Sequence, residues 1–152
     1  MLVSELLSDA SSKLSTAGVA SATVDAELLA CFCLNISRSD LQLMVATNQV
    51  FPSESLESFE SALARRVARE PLQHITGTAP FRHLELAVGP GVFTPRPETE
   101  QVVDFALEKI SAIKNPLVVD LCAGSGAIAI SLATEISGSK VYAVELSEDA
   151  YS

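Results

Sequence analysis

The chain has 152 residues, 48% of them hydrophobic, and a formal net charge of −9 at pH 7. That length and apolar content suffice for one or two small domains with a real core. The charge is shared almost evenly by the two halves without a basic stripe, which argues against direct grip on a nucleic-acid backbone.

No apolar run of about 18 residues and no basic-then-apolar leader occurs, so a soluble, cytoplasmic protein without membrane contact is expected. Cys31, Cys33 and Cys122 are an odd, sparse set, which predicts reduced thiols rather than a disulfide framework. His74 and His83 lack a third ligand at metal-like spacing, so no metal site is expected.

Leu6, Leu7, Ala10 and Leu14 share one face of a first helix that Gly18 ends. Val24, Leu28 and Phe32 mark a second, capped by Ser21 or Thr23. A third helix is predicted over Arg38 to Ala46 after Ser37, with Asn48 as its left-handed terminator. Ser53, after Pro52, is expected to cap a fourth whose apolar stripe is Leu56, Phe59, Leu63 and Val67. Short connections make residues 1–70 a small helical bundle. Arg65, Arg66 and Arg69 are read as a solvated helix face, with a docking patch as the alternative.

Pro71 closes the bundle. Leu72 to Ile75, then Leu84, Leu86 and Val88 in alternation, predict two short strands, so residues 71–91 are read as a bridging β-hairpin. In Val92-Phe93-Thr94-Pro95-Arg96-Pro97-Glu98-Thr99-Glu100, Pro97 suits the first turn of a helix and the two glutamates suit its positive end. That helix should run to about Lys109, with Val102, Val103, Ala106 and Ile110 facing a sheet. Two prolines, an arginine and an aromatic exceed what a helix start requires, which makes Phe93 and Arg96 candidates for the border of a ligand crevice.

The β-branched run Leu117 to Leu121 feeds the small-residue turn Cys122-Ala123-Gly124-Ser125-Gly126 and then the apolar segment Ala127 to Ala133. This is a strand, a tight loop and a helix start, followed by a second strand, Val141 to Val144, that ends in Glu145. Gly124 and Gly126 let the backbone turn and approach a ligand. An acid about 20 positions beyond the glycines is placed to accept ribose hydroxyls. Gly124-x-Gly126-x-x-Ala129 also fits a dinucleotide fingerprint, so the glycines alone do not choose the ligand. Asp120, four residues before Gly124, makes the choice. A carboxylate in the crevice repels a pyrophosphate and attracts the ammonium and sulfonium of S-adenosylmethionine. The arrangement resembles motif I of the class I methyltransferases.

Taken together, three stretches closely resemble the N-terminal half of the HemK/PrmC family, the peptide chain release factor glutamine methyltransferases. They are Pro71-Leu72-Gln73-His74-Ile75-Thr76-Gly77, Phe93 to Glu100, and Asp120 to Ala129, and the likeness extends along the whole chain. The resemblance implies an α/β fold in which residues 92–152 open a Rossmann-like methyltransferase domain. It implies S-adenosylmethionine as donor and the glutamine amide of a release factor's Gly-Gly-Gln tip as acceptor. It also implies Asp120, Cys122, Ala123, Gly124, Ser125, Gly126 and Glu145 as cofactor-binding residues, with residues 1–70 as a docking module for the release factor. Cys122-Ala123 replaces a common Gly-Thr, and Glu145 replaces a common Asp.

The family's Asn-Pro-Pro-Tyr motif, which holds the acceptor amide, does not occur in these residues. No catalytic residue is therefore assigned within them, and the chain alone is expected to be an inactive piece of its parent enzyme. Two other readings stay open: a methyltransferase acting on nucleic acid or another protein, and a non-catalytic interaction module.

Overall fold

Five helices account for Met1–Thr76 in the computed structural model, which describes residues 1–151. They are α1 (Val3–Thr16), α2 (Ala22–Leu34), α3 (Arg38–Ala46), α4 (Leu56–Val67) and α5 (Leu72–Thr76). Gly18 follows α1 with a φ of +76°, and Asn48 follows α3 with a φ of +52°, so both terminators sit in the left-handed region. Ser37 and Asp40 cap α3 reciprocally, each side chain accepting the other residue's amide at 3.1–3.2 Å. Val3, Leu6, Ala10 and Leu14 of α1 pack with Leu29 of α2, Leu41 of α3, Phe59 and Leu63 of α4, and Ile75 of α5 in one core.

Several local expectations differ from the structure. Leu72–Thr76 is a helix, not a strand, and it joins the first compact unit, Met1–Thr76, while the hairpin strands belong to the second. Residues 71–91 are thus divided rather than forming one linker. Ser53 opens a 3-10 turn, Ser53–Ser55, and caps nothing; α4 begins at Leu56. Ser21 stands at the N-cap of α2, but its hydroxyl donates to Asp25 at 2.8 Å instead of accepting an amide.

Helix α2 also turns a different face inward. Its buried residues are Ala22, Asp25, Ala26, Leu29, Ala30 and Cys31, whereas Val24 and Phe32 are exposed, Phe32 by 45%. Because α2 is apolar on nearly every side, periodicity alone cannot set its rotation.

Of the three arginines, Arg65 and Arg69 are exposed, as a solvated face requires, and Arg66 turns inward. Arg66 donates to the buried Asp25 at 2.7 Å and to the Glu70 carbonyl at 2.8 Å. Arg65 pairs with Glu70, and Arg69 caps the carbonyls of Ala17 and Gly18. Among the described residues no single helix is long and apolar enough to cross a membrane.

The second unit begins at Gly77 with an antiparallel hairpin, β1 (Thr78–Phe81) and β2 (Leu84–Ala87), in register Thr78↔Ala87 and Phe81↔Leu84. A 3-10 turn, Pro97–Thr99, leads into α6 (Glu100–Ile110). Then come β3 (Leu117–Leu121), α7 (Ala127–Glu135), β4 (Lys140–Val144) and α8 (Glu148–Tyr151). Strands β3 and β4 are parallel, paired from Leu117↔Lys140 to Leu121↔Val144. Phe81, Leu86, Val103, Ala127 and Leu132 form the core. Helix α6 turns Val103, Ala106, Leu107 and Ile110 inward, and Val102, one residue off that face, is exposed.

Arg82, in the hairpin turn, ties the unit together. Its guanidinium donates to both oxygens of Glu135 at 2.6 and 2.7 Å and to Asp104 at 2.6 Å, while its amide donates to Glu100. The carboxylates hold its pKa above the ordinary arginine value, Glu135 most strongly. On the sheet face away from α7, Leu117, Val119, Leu121, Tyr142 and Val144 are exposed, Leu121 by 69%. A parallel pair with one bare apolar face is unusual, since parallel strands are normally covered on both sides.

Candidate functional site

Leu121 ends β3, and the chain reverses through Cys122 to Gly126 before α7 begins. Gly124 (φ +54°) and Gly126 (φ +75°) take left-handed backbone, and so does Cys122 at +62°. A side chain at Cys122 therefore occupies a conformation that glycine adopts without strain. The loop is tied to both strands: Ala123 donates its amide to the Val144 carbonyl at 3.1 Å, extending the parallel ladder past its last pair.

The two acids flank this loop. Asp120 accepts the amide of Ala129 at 3.1 Å, so its carboxylate caps the first turn of α7 from the end of the neighbouring strand. Burial pushes its carboxyl above the ordinary aspartate value, and the Ala129 amide draws it part of the way back. An anion raised in this way gains from a cation brought beside it. Glu145, at the tip of β4, accepts three backbone amides: Gly124 on Oε2 at 2.7 Å, and Leu146 and Ser147 on Oε1 at 2.8 Å each. The amides of Ser147, Gly124 and Leu146 hold its carboxyl below the ordinary glutamate value.

Loop, acids and the proline-rich segment line one open cavity of about 450 Å³. The structure brings Phe93, Arg96, Asp120, Cys122, Ala123, Gly124, Ser125 and Glu145 to it, together with Thr94, Pro95, Thr99, Ala127 and Ile128. Gly126 does not line it; it shapes the loop from behind, where an added Cβ would meet Ile130 Cδ1 at 3.0 Å. Thr99, Ala127 and Ile128 escaped the sequence reading because helix-start residues carry no signal of their own. Only the fold shows that the first turns after Arg96 and Gly126 converge. At Gly124 nothing lies within 4 Å of where a Cβ would stand, so the backbone there is open to close approach.

A second cavity of about 550 Å³ shares Ser125 and is lined mainly by residues 84–90, with Ile130, Asp149 and Ala150. It contains neither a cation nor the pair of strand-tip acids, so the smaller cavity is the better ligand site. Among the described residues no cluster of His, Cys, Asp and Glu is arranged to hold a metal ion. Cys31 is buried, Cys33 half-buried and Cys122 exposed, all as free thiols.

Residues 5–77 match the family model described as the PrmC N-terminal domain. The chain is 49% identical over 153 residues to a release factor glutamine methyltransferase of Streptomyces coelicolor, an alignment covering 99% of the chain and 52% of that protein. It is 46% identical over 150 residues to one of Bifidobacterium longum, covering 97% and 51%. It is 36% identical over 152 residues to one of Deinococcus radiodurans, covering 100% and 54%. The chain thus spans about half the length of the curated relatives it matches.

Proposed function

We propose that the chain belongs to the family of release factor glutamine methyltransferases, which it resembles along nearly its whole length, and that it contributes the cofactor site of such an enzyme. In this reading the whole protein methylates the side-chain amide of the glutamine in a release factor's Gly-Gly-Gln tip, with S-adenosylmethionine as donor. A translation factor as acceptor implies action in the cytoplasm. The β3–α7–β4 unit is the opening of a Rossmann-like domain.

One observation carries the reading: Asp120, Glu145 and the Gly124 loop line the same cavity. The residues fit the cofactor. The cavity's volume lies within the range usual for small-molecule sites, roughly 300–1,000 Å³. Asp120 offers negative charge to the ammonium and sulfonium. Glu145 Oε2 accepts one amide and keeps a second lone pair for a ribose hydroxyl. Bound there, S-adenosylmethionine supplies an electrophilic methyl group. What this chain adds is binding and orientation. The acceptor amide is a weak nucleophile, because its lone pair is delocalised into the carbonyl, so transfer depends on holding the partners in line. In the family the Asn-Pro-Pro-Tyr motif performs the acceptor-side part.

The test is methyl transfer by the full-length protein to a purified release factor, with mass spectrometry locating the added methyl. Methylation of the Gly-Gly-Gln glutamine supports the reading. Transfer only to a nucleic acid or to an unrelated protein, or none with any acceptor while the protein is folded, overturns it.

A further inference from the structure

The guanidinium of Arg82 is bound to two helices at once. Its Nε and one terminal nitrogen donate to the two oxygens of Glu135, the last residue of α7, at 2.6 and 2.7 Å. The other terminal nitrogen donates to Asp104 at 2.6 Å and to the Glu100 carbonyl at 3.4 Å, both in α6. The Arg82 amide adds a bond to Glu100 Oε1 at 2.9 Å. With its side chain 13% exposed, Arg82 pins the first turns of α6 to the end of α7.

Three local features oppose this contact. Arg82 has a left-handed φ of +53°, which disfavours a residue that carries a Cβ. A hairpin turn would be better served there by Asn or Gly. Glu135 places negative charge at the C-terminal, negative end of α7. A guanidinium withdrawn from water also loses hydration that only close, well-oriented partners replace. The turn by itself therefore does not account for an arginine at this position; the two helices it joins do.

Both helices lead into the 450 Å³ cavity. Thr99, the residue before Glu100, lines one part of it, and Ala127 and Ile128, in the first turn of α7, line another. Arg82 itself is not among the lining residues. Val103, Ala127 and Leu132 share an apolar core between the helices, but apolar contact is non-directional and leaves one helix free to slide along the other. A two-point bond between guanidinium and carboxylate has a fixed geometry and removes that freedom. Because the hydrogen-bonded backbone of α7 is stiff, fixing Glu135 also fixes where Ala127 and Ile128 stand.

We propose that Arg82 is a positioning residue for the cofactor site. By pinning α6 to α7 it sets the separation of the walls that carry Thr99 and the Ala127–Ile128 turn, and with it the affinity for S-adenosylmethionine. This role rests on the methyltransferase reading and adds to it a residue that does not touch the ligand. Glu135 is the partner that matters, being 23% exposed and held at two points. Asp104, 66% exposed, contributes little because water screens it.

Calorimetry with S-adenosylhomocysteine tests this on the full-length protein, at a temperature where circular dichroism shows each variant folded. Arg82→Met should weaken binding by roughly threefold to thirtyfold, the span of couplings carried by residues remote from a ligand. Glu135→Gln should weaken it by a similar factor, and the double variant no further, because the two act through one contact. Asp104→Asn should bind as the wild type does, and Arg82→Lys should recover part of the loss. In methyl transfer, KM for S-adenosylmethionine should rise while KM for a short Gly-Gly-Gln peptide stays the same. A residue that only stabilised the fold would lower the melting temperature and leave the affinity of the folded protein unchanged, and that result overturns the assignment. So do additive losses in the double variant, or a loss with Asp104→Asn equal to that with Glu135→Gln. If Arg82→Met does not fold, Arg82→Lys and Glu135→Gln decide the question by the same measurement. A wild type that binds no S-adenosylhomocysteine removes the methyltransferase reading, and this role with it.

Discussion

The Glu145 carboxylate accepts the amide of Gly124 at 2.7 Å, so the acid at the tip of β4 fastens the glycine loop that follows β3. The residue proposed to meet the ribose therefore also holds the loop. Its carboxyl is held below the ordinary glutamate value of 4.5 by the amides of Ser147, Gly124 and Leu146. A depressed carboxyl stabilises the fold above its unfolded pKa and loses that contribution as pH falls through the folded one. Relative to intrinsic rates, exchange of the Gly124 amide should therefore be slow at neutral pH and accelerate as pH falls below about 4.5. In Glu145→Ala the amide should exchange fast throughout. Equal protection of Gly124 in the two proteins at pH 7 would contradict the tether.

Cys122 and Gly126 have left-handed backbone with opposite consequences for substitution. Such a conformation costs a side-chain-bearing residue about 1–2 kcal/mol. Cys122 is exposed, so Cys122→Gly loses little packing and should stabilise the protein by ~0.5–1 kcal/mol in urea unfolding. Gly126→Val adds the same backbone strain and drives a Cβ to 3.0 Å from Ile130 Cδ1. It should abolish cofactor binding to the full-length protein, measured by calorimetry with circular dichroism as the check on folding.

In the helical unit, Asp25 and Arg66 join α2 to α4 at 2.7 Å, with Ser21 donating to the other carboxylate oxygen. Removing one member of a buried pair strands the other's charge, which costs about 3–5 kcal/mol. Asp25→Ala should therefore destabilise the unit by ~3 kcal/mol, and Asp25→Ala with Arg66→Ala should cost clearly less than the sum of the single changes. Strict additivity in urea melts would show that the two do not interact.

A glutamine at a loop tip offers little surface, so recognition of a release factor must draw on contacts remote from the transferred methyl. The proposed docking role of the helical unit makes a differential prediction. Deleting residues 1–76 from the full-length enzyme should reduce methylation of the intact release factor at least tenfold more than that of a short Gly-Gly-Gln peptide. This excess is on the order of 1.4 kcal/mol or more of lost remote binding. Cofactor affinity should hold, because the cavity lies in residues 93–145. Equal loss with both acceptors, in a folded and cofactor-binding remainder, would exclude docking by this unit.

Local chemistry made much of this chain legible in its sequence. Ser37 with Asp40 specifies a helix start, Asn48 a left-handed stop, and Leu117 to Glu145 a strand, loop, helix and strand, because each depends on residues within a few positions of one another. Tertiary packing decided the rest. The all-apolar surface of α2 fits several rotations, and the one adopted buries Asp25 because Arg66, 41 residues away, meets it there. Leu72–Thr76 is too short for its period to distinguish helix from strand, and it became a helix packed by Ile75 into the bundle core. The glycine loop and its acids were visible as a motif, but that Arg96 and Phe93 share their cavity depends on where α6 begins relative to β3. Sequence spacing carries no information about that distance, because long-range side-chain contacts set it.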